Sequence, residues 1–559
     1  MEEHWNLLDE AWIDVVDHQG VESRVSIRTL LRDASNYRVL AAPLGTVNFA
    51  VLRVLLAILY RSWDSRKWRN LDSALDHWQE KWDQETLLDD DVSDYLATWQ
   101  DRFNLRDAEH PFLQVAGLHT AKNEWKSLDI LFPDVGDAGD LYTMRSGLTE
   151  VDAAEAAQML VHCMAFDFSG IKSGAVGDDR VKGGKGYPIG IGWCGWLGGT
   201  VLEGKDLRET LLLNYLPYRE EAGTDDLPLW EIDDIGSGLR DNARYRIDPP
   251  AETGTTGQVE LLTWPQRRIL LKWGGDTVTG VLVTNGDPVG YTTKNSVETM
   301  TPWRFSDPQT KKAKQLRYMP QTLDAGRTMW RSLGGILPNS AVPKADIKVD
   351  GAKIQVDKAI PAASVHWAGQ LVGEGILAED QDIRIRMVSM EYGPQQSSFT
   401  GVVEDAITVR SPMLALDNER LRATARRAVE FTDGAADALW KFAKNIAFAV
   451  SGNRDEADTD KIQSEFYTRV DTGFRAWLRQ LGPDTDREAV LADWARRVRS
   501  TATGLADDLL TAQGPAVWSG RWDGTRRITG AVAADWLRKS LSDCLGEESR
   551  RNTENGENA

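Results

Sequence analysis

The chain has 559 residues, a formal net charge of -20, 42% hydrophobic and 27% charged residues. At roughly 100–200 residues per domain this is the composition of a folded protein of several domains, and it excludes a general nucleic-acid coat, which is basic overall, though not a local basic patch on an acidic body. The 3 cysteines, Cys163, Cys194 and Cys544, are scattered, which excludes a disulfide framework and a cysteine-rich zinc site and fits a reducing, cytoplasmic setting.

Taken in chain order, the acidic opening MEEHWNLLDE carries no signal-peptide pattern. Asn6 to Val15 leads into a strand, and Ser26 to Ala34 reads as a short helix. Val47 to Trp63 and Asn70 to Trp82 are helical by apolar spacing. The apolar run Val47 to Leu59 contains Arg53 and is too short to span a bilayer, so a buried helix and no membrane partner are expected. Leu87 to Asp94 is acidic, a solvated loop or helix start. Thr149 to Asp152 caps a helix through Ala153 to Met164. Tyr187 to Trp193 and Gly199 to Leu202 read as short strands, and Asp206 with Glu209 caps DLRETLLLNYL. Asp225 to Pro265 is loop-rich and acidic. Strands are expected at Arg268 to Lys272, Thr277 to Thr284, Ile347 to Val356 and, by its alternation, Ile383 to Tyr392.

After about Val403 the pattern becomes helical: Leu414 to Val450, Lys461 to Gly482, Arg487 to Thr511 and Gly530 to Leu545. The expected fold class is therefore α+β. A large mixed domain over 1–403 precedes an antiparallel four-helix bundle over 404–548, with a polar tail over 549–559 expected to be disordered. The 22 tryptophans supply cores and flat interface anchors.

Chemical motifs are scarce. Gly184-Lys185 is followed by Gly186 rather than the hydroxyl residue that a Walker loop needs to hold magnesium. Gly190 to Gly195 matches GxGxxG, but a dinucleotide site needs a helix at the last glycine, and Trp196-Leu197-Gly198-Gly199 leads into another strand-like run. The 7 histidines form no metal-ligand pair at helical spacing, and no GxSxG elbow is present. His110, in AEHPF, precedes a proline and reads as a turn residue. No catalytic residue, metal or cofactor is expected.

What survives is the stretch FDFSGIKSGAVGDDRVKGGKGYPIGIGWCG, Phe166 to Gly195. Lys172, Arg180, Lys182 and Lys185 sit among glycines that allow close backbone approach. Such a segment grips phosphate or enters a minor groove, or else is a mobile surface loop. Gly393 to Ser398 is a second candidate, a polar turn whose glutamines and serines probe base edges, or else only a turn, as most such segments are.

The sequence resembles the large subunit of the type I-E CRISPR surveillance complex Cascade, the CasA family. NLLDEAWIDV at 6–15 resembles the family's opening, and AEHPF at 108–112 is a strong family motif. IKSG at 171–174 and GKDLRETLLLNYL at 204–216 resemble the segment around its glycine loop, and the helical C-terminal region matches as well. The likeness covers most of residues 5–545.

It implies a non-enzymatic subunit that recognises the PAM in double-stranded DNA, starts strand separation and R-loop formation, and recruits the helicase–nuclease. Its implied partners are the backbone and small Cascade subunits, the 5′ end of the guide RNA and PAM-bearing duplex DNA. By the same resemblance the PAM-binding set is Ser169, Gly170, Ile171, Lys172, Lys294 and Gln395, and the wedge is Gln396 and Ser397. Ser169 and Ile171 stand where the family has glycines, and Ser397 where it has alanine. The loop touching the guide and the neighbouring backbone subunit falls on Leu141, Tyr142 and Thr143. Displaced-strand contacts are expected at Arg420, Arg422, Arg426, Arg427, Arg496, Arg497 and Arg499, or else these form solvated helix faces. The rival classes are a metal- or nucleotide-dependent nuclease or transferase and a purely structural cap.

Overall fold

Short polar side chains start most helices where the sequence places them. The computed structural model describes residues 4–63, 70–133, 147–217, 226–233, 235–240, 257–292, 294–338, 344–349 and 352–546. The chain divides into two units. The first is Met1–Ala325 with Val342–Leu377 and Ile383–Ala406; the second is Gly326–Ala341 with Ala378–Asp382 and Ile407–Ala559.

In the first unit, β1 (Ile13–Asp17) and β2 (Glu22–Val25) lead to α1 (Ile27–Arg32), whose Thr29 amide is held by the Ser26 hydroxyl. With β3 (Tyr37–Leu40) they form a sheet in the order β2-β1-β3. The long α2 (Gly45–Ser62) follows, then α3 (Leu71–Asp83) and α4 (Asp90–Thr98). The helix is longer than the apolar run that marked it: at 18 residues α2 is long and apolar enough to cross a bilayer, but 83% of it is buried inside the protein. Its Arg53 is tolerated there because Glu298 accepts from both terminal guanidinium nitrogens at 3.0 Å, and the Trp193 indole donates to the same carboxylate at 2.7 Å.

Next come α5 (Ala153–Phe166), capped by Asp152 on the Glu155 amide, and the two-residue strands β4 (Lys172–Ser173) and β5 (Lys185–Gly186). They are followed by β6 (Gly199–Glu203) and α6 (Leu207–Leu213). The expected cap of α6 closes in both directions: Asp206 accepts from the Glu209 amide, and the Glu209 carboxylate accepts from the Lys205 amide. The strand expected over Tyr187–Trp193 does not form. Pro188 has no amide to give and Gly190 sits at φ +100°, so this run is an extended loop ending in a short turn of helix at Trp193–Trp196. No longer helix begins at Gly195, which removes the dinucleotide geometry.

After α7 (Gln258–Leu262), β7 (Arg267–Gly274) and β8 (Thr277–Asn285) form a long hairpin. β9 (Trp303–Phe305), α8 (Asp307–Ala313) and β10 (Tyr318–Pro320) follow, and the short α9 (Leu333–Ile336) belongs to the second unit. The strand expected over Ile347–Val356 is a hairpin of β11 (Lys344–Val349) and β12 (Ala352–Asp357). β13 (Ala359–Ile360) pairs with β9, and α10 (Ala363–Gly373) precedes the long strands β14 (Asp382–Tyr392) and β15 (Phe399–Arg410). These last join β6 in the order β15-β14-β6. The boundary expected after residue 403 lies within β15, where the division falls at Ala406/Ile407.

The second unit is built on α11 (Glu419–Ser451), α12 (Thr459–Arg479) and α13 (Arg487–Ala512). These are followed by the short α14 (Ala516–Ser519), the hairpin β16 (Arg521–Trp522) and β17 (Arg527–Ile528), and α15 (Gly530–Cys544). Helix α11 packs against α12, α13 and α15. Its buried positions Leu421, Ala425, Ala428, Thr432, Ala435, Leu439, Phe442, Ile446 and Ala449 recur at three- and four-residue intervals. The Trp494 indole donates to the Ala428 carbonyl at 3.2 Å and to the Thr432 hydroxyl at 3.0 Å, and Phe474 stacks on Trp330 at 4.2 Å. The polar tail over 549–559 lies outside the described residues.

Candidate nucleic-acid interface

Helix α5 ends at Asp167, and the chain then leaves the core as the glycine-rich loop. The Asp167 carboxylate is buried and meets two cations: the Lys172 ammonium at 2.7 Å and the Arg267 guanidinium of β7. Burial alone opposes its charge, but the two cations hold it ionised below the usual carboxylate range. The same burial draws Lys172 below the usual lysine range, against the pull of Asp167. Its ammonium also lies 3.8 Å from the Phe168 ring centroid.

Arg267 then clamps both arms of the loop, donating to the Phe168 carbonyl at 3.0 Å and the Gly190 carbonyl at 2.8 Å. The Gly192 amide donates to the Asp167 carbonyl at 2.8 Å. This contact needs glycine, because a Cβ at 192 would lie 2.3 Å from the Ala165 carbonyl oxygen.

The clamped loop meets the β14–β15 turn. The Ser169 amide donates to the Gln396 carbonyl at 2.7 Å, the Phe168 and Phe399 rings meet edge-on at 5.3 Å, and the Tyr392 hydroxyl donates to the Phe166 carbonyl at 2.6 Å. Two segments far apart in sequence, 226 residues at the Tyr392–Phe166 bond, thus form one surface. The turn is closed by Gly393 donating to the Ser398 carbonyl and Gln396 to the Gly393 carbonyl. Gln395 and Gln396 both occupy left-handed backbone, φ 58° and 56°. Gln395 and Ser397 are exposed and Gln396 partly so, and neither glutamine amide has a hydrogen-bond partner among the described residues. Ile171, at 59% exposure, stands outward at the loop tip.

The structure therefore brings Ser169, Gly170, Ile171, Gln395, Gln396 and Ser397 together. Two expected contacts are corrected. Lys172 does not present a free charge, since its ammonium is turned onto Asp167. Lys294 is 2% exposed; it lies within the field of Glu260, and burial lowers its pKa to about 8. Arg180 is likewise engaged, donating to Asp178, the Gly286 carbonyl and the Asn285 carbonyl. The exposed cations are Lys182 and Lys185, which exchange backbone hydrogen bonds across the left-handed Gly183-Gly184 turn and form no ion pair among the described residues. Arg267 was not anticipated. Two consecutive arginines opening the apolar strand RRILLKW are the sign of buried partners.

Elsewhere, the guide-contacting residues expected at Leu141, Tyr142 and Thr143 lie outside the described residues. Most of the bundle arginines are engaged within their own unit. Arg422 is buried and donates to the Ala415 and Leu416 carbonyls; Arg426 pairs with Glu419, Arg427 with Glu430, and Arg496 and Arg497 with Asp493. Arg499 reaches the Ser542 hydroxyl at 3.4 Å, while Arg420 is exposed. His110 is an exposed turn residue whose amide is held by Asp107.

The sequence model of the family described as CRISPR-associated protein Cse1 matches residues 6–505. The chain belongs to the Cse1 family. It is similar to the crystal structure of Thermobifida fusca Cse1, at 34% identity over 97% of this chain and 98% of that one, with a TM-score of 0.85. CasA/Cse1 of Thermus thermophilus is 26% identical over 95% of this chain and 94% of its own length. A chain of a solved CRISPR RNA-guided surveillance complex shares the fold, with a TM-score of 0.68 at 16% identity over 97% of this chain and 99% of that one.

Asp167→Asn leaves two buried cations without their counter-charge and is expected to destabilise the first unit by about 3–5 kcal/mol in urea denaturation. Adding Lys172→Met restores part of the loss, because one orphaned cation is removed. Lys294 gives a pH signature. Its folded pKa lies below its unfolded value of about 10.4, so its buried charge costs stability below about pH 8, and the cost disappears as pH rises to the unfolded value. Stability relative to Lys294→Met is therefore expected to rise by up to about 3 kcal/mol between roughly pH 7 and 10; a pH-independent difference contradicts the placement.

Proposed function

We propose that the chain is the PAM-reading large subunit of a type I-E CRISPR RNA-guided complex. In this reading it catalyses nothing itself: it engages duplex DNA, opens the first base pairs for the guide RNA, and offers a docking surface to the helicase–nuclease, all in the cytoplasm. The observation that carries the reading is the hydrogen bond from Ser169 to Gln396, which seats the glycine loop against the turn with its unpartnered amides. Membership of the Cse1 family and the shared fold with a chain of a surveillance complex support it.

In this reading the labour is divided among the residues. The slim backbone of Ser169 to Ile171 approaches a minor groove, Gln395 meets base edges, and Lys182 and Lys185 meet phosphates. Lys172 and Lys294 act from inside, as positioning residues. Gln396 and Ser397 then enter the duplex. Unstacking costs a few kcal/mol, which groove contacts and the first RNA–DNA pairs offset.

The reading is tested by target binding of the guide-loaded complex, with and without the chain, on PAM-bearing and PAM-mutated duplexes. Tight binding is expected only with both chain and PAM present; binding indifferent to both refutes it. Gln395→Gly with Gln396→Gly relieves roughly 1–2 kcal/mol of left-handed strain per residue, against the larger chain entropy of glycine. Folding stability is thus expected to hold while R-loop formation falls at least tenfold. Lys182→Ala with Lys185→Ala is expected to weaken PAM and non-PAM duplexes alike and to lower the salt slope by about two, one for each phosphate no longer neutralised.

A further inference from the structure

The second unit carries an unpartnered aromatic and cationic surface that the reading above does not use. Trp518 is 56% exposed and Trp522 64%; the next most exposed of the described tryptophans is Trp125 at 39%. Trp518 sits on α14, and Gly520, at φ 62°, turns the chain into β16. Only glycine fits there, since a Cβ would lie 2.2 Å from the Ile528 carbonyl oxygen. In the hairpin, Arg521 stands opposite Ile528 and Trp522 opposite Arg527. Cross-strand partners share a face. The fully buried Ile528 anchors one face, so Trp522 and Arg527 stand together on the outer one.

The turn between the strands is stiff. One Asp523 carboxylate oxygen accepts from the Thr525 and Arg526 amides, both at 2.9 Å, and from the Thr525 hydroxyl at 2.8 Å. The only acidic side chain of the hairpin is thus turned onto backbone. Arg521 donates to the Val450 carbonyl, Arg527 to the Ser519 carbonyl, and Arg526 lies 5.1 Å from the Trp536 ring centroid. None of the three forms an ion pair among the described residues, unlike Arg426, Arg427, Arg496 and Arg497 on the long helices of the same unit.

We propose that this hairpin is a stacking site for single-stranded nucleic acid. Trp518 and Trp522 offer ring faces to unpaired bases, and Arg526 and Arg527 take the adjoining phosphates. Charge favours this occupant over a protein. Three arginines without carboxylate partners on a chain of net charge -20 are complementary to a polyanion. The site adds a second nucleic-acid contact and stands independently of PAM reading.

The test is fluorescence anisotropy of labelled oligodeoxythymidine of about 15 nucleotides, within one stacking site, with oligouridine and a duplex of equal length as further arms, using the full-length chain alone. Trp518→Ala with Trp522→Ala is expected to weaken single-strand binding about tenfold or more. The Phe double variant keeps most of the affinity, and duplex binding does not change. Arg526→Ala with Arg527→Ala flattens the salt dependence. Tighter binding of the deoxy strand assigns the site to displaced DNA, and tighter binding of oligouridine assigns it to RNA. The proposal is overturned if the wild-type chain binds no single strand, or if the tryptophan variants bind it unchanged. It is equally overturned if those variants keep oligonucleotide affinity but lose a protein of the assembled complex, which makes the hairpin a protein-docking face.

Discussion

One ionised carboxylate, Asp167, stands between Lys172 and Arg267 where α5 gives way to the glycine-rich loop, and the shape of the candidate interface follows from it. A loop that must bring bare backbone to a ligand cannot also carry large side chains to pack itself. Its geometry therefore has to be imposed from below. The buried triad does this directionally: Arg267 grips the Phe168 and Gly190 carbonyls, and Lys172 is drawn under Phe168. Apolar packing of the same volume would give comparable stability without fixing where the Ser169 amide points.

The same constraint accounts for the placement of strain. Two successive glutamines in left-handed backbone cost free energy that a solvated turn has no reason to bear. They persist because the strands β14 and β15 and the Ser169 hydrogen bond define the turn from both sides. In exchange the two amides project from the hairpin with no internal partner among the described residues. Strained backbone of this kind clusters at ligand clamps and switch regions.

Positive charge in this acidic chain falls into two populations. Lys172, Arg180, Arg267 and Arg422 are internal fasteners that bind carboxylates and carbonyls. Others remain exposed, among them Lys182 and Lys185 in the first unit and Arg526 and Arg527 in the second. The net charge of -20 opposes indiscriminate attraction for DNA, because non-specific affinity is mainly electrostatic.

The amino-acid sequence by itself determined the local features: the helices of the second unit, because their apolar residues recur at three- and four-residue intervals, and the capped starts at Asp152 and Asp206, because a short acidic side chain reaches the next turn's amide. It also located the loop and the turn, since glycine runs and polar turns are local signals. It could not say which cations are presented. Lys172 and Lys182 look alike in the chain, but one has Asp167 and Arg267 beside it and the other only solvent. Lys294 and the bundle arginines were ambiguous for the same reason. Nor could it anticipate Arg267, or the bond between Ser169 and Gln396, because both depend on which distant strands lie together. Helix periodicity and capping act over a few residues, so the sequence alone settles them; the partner of a charge is chosen by long-range packing, so only the tertiary structure decides it.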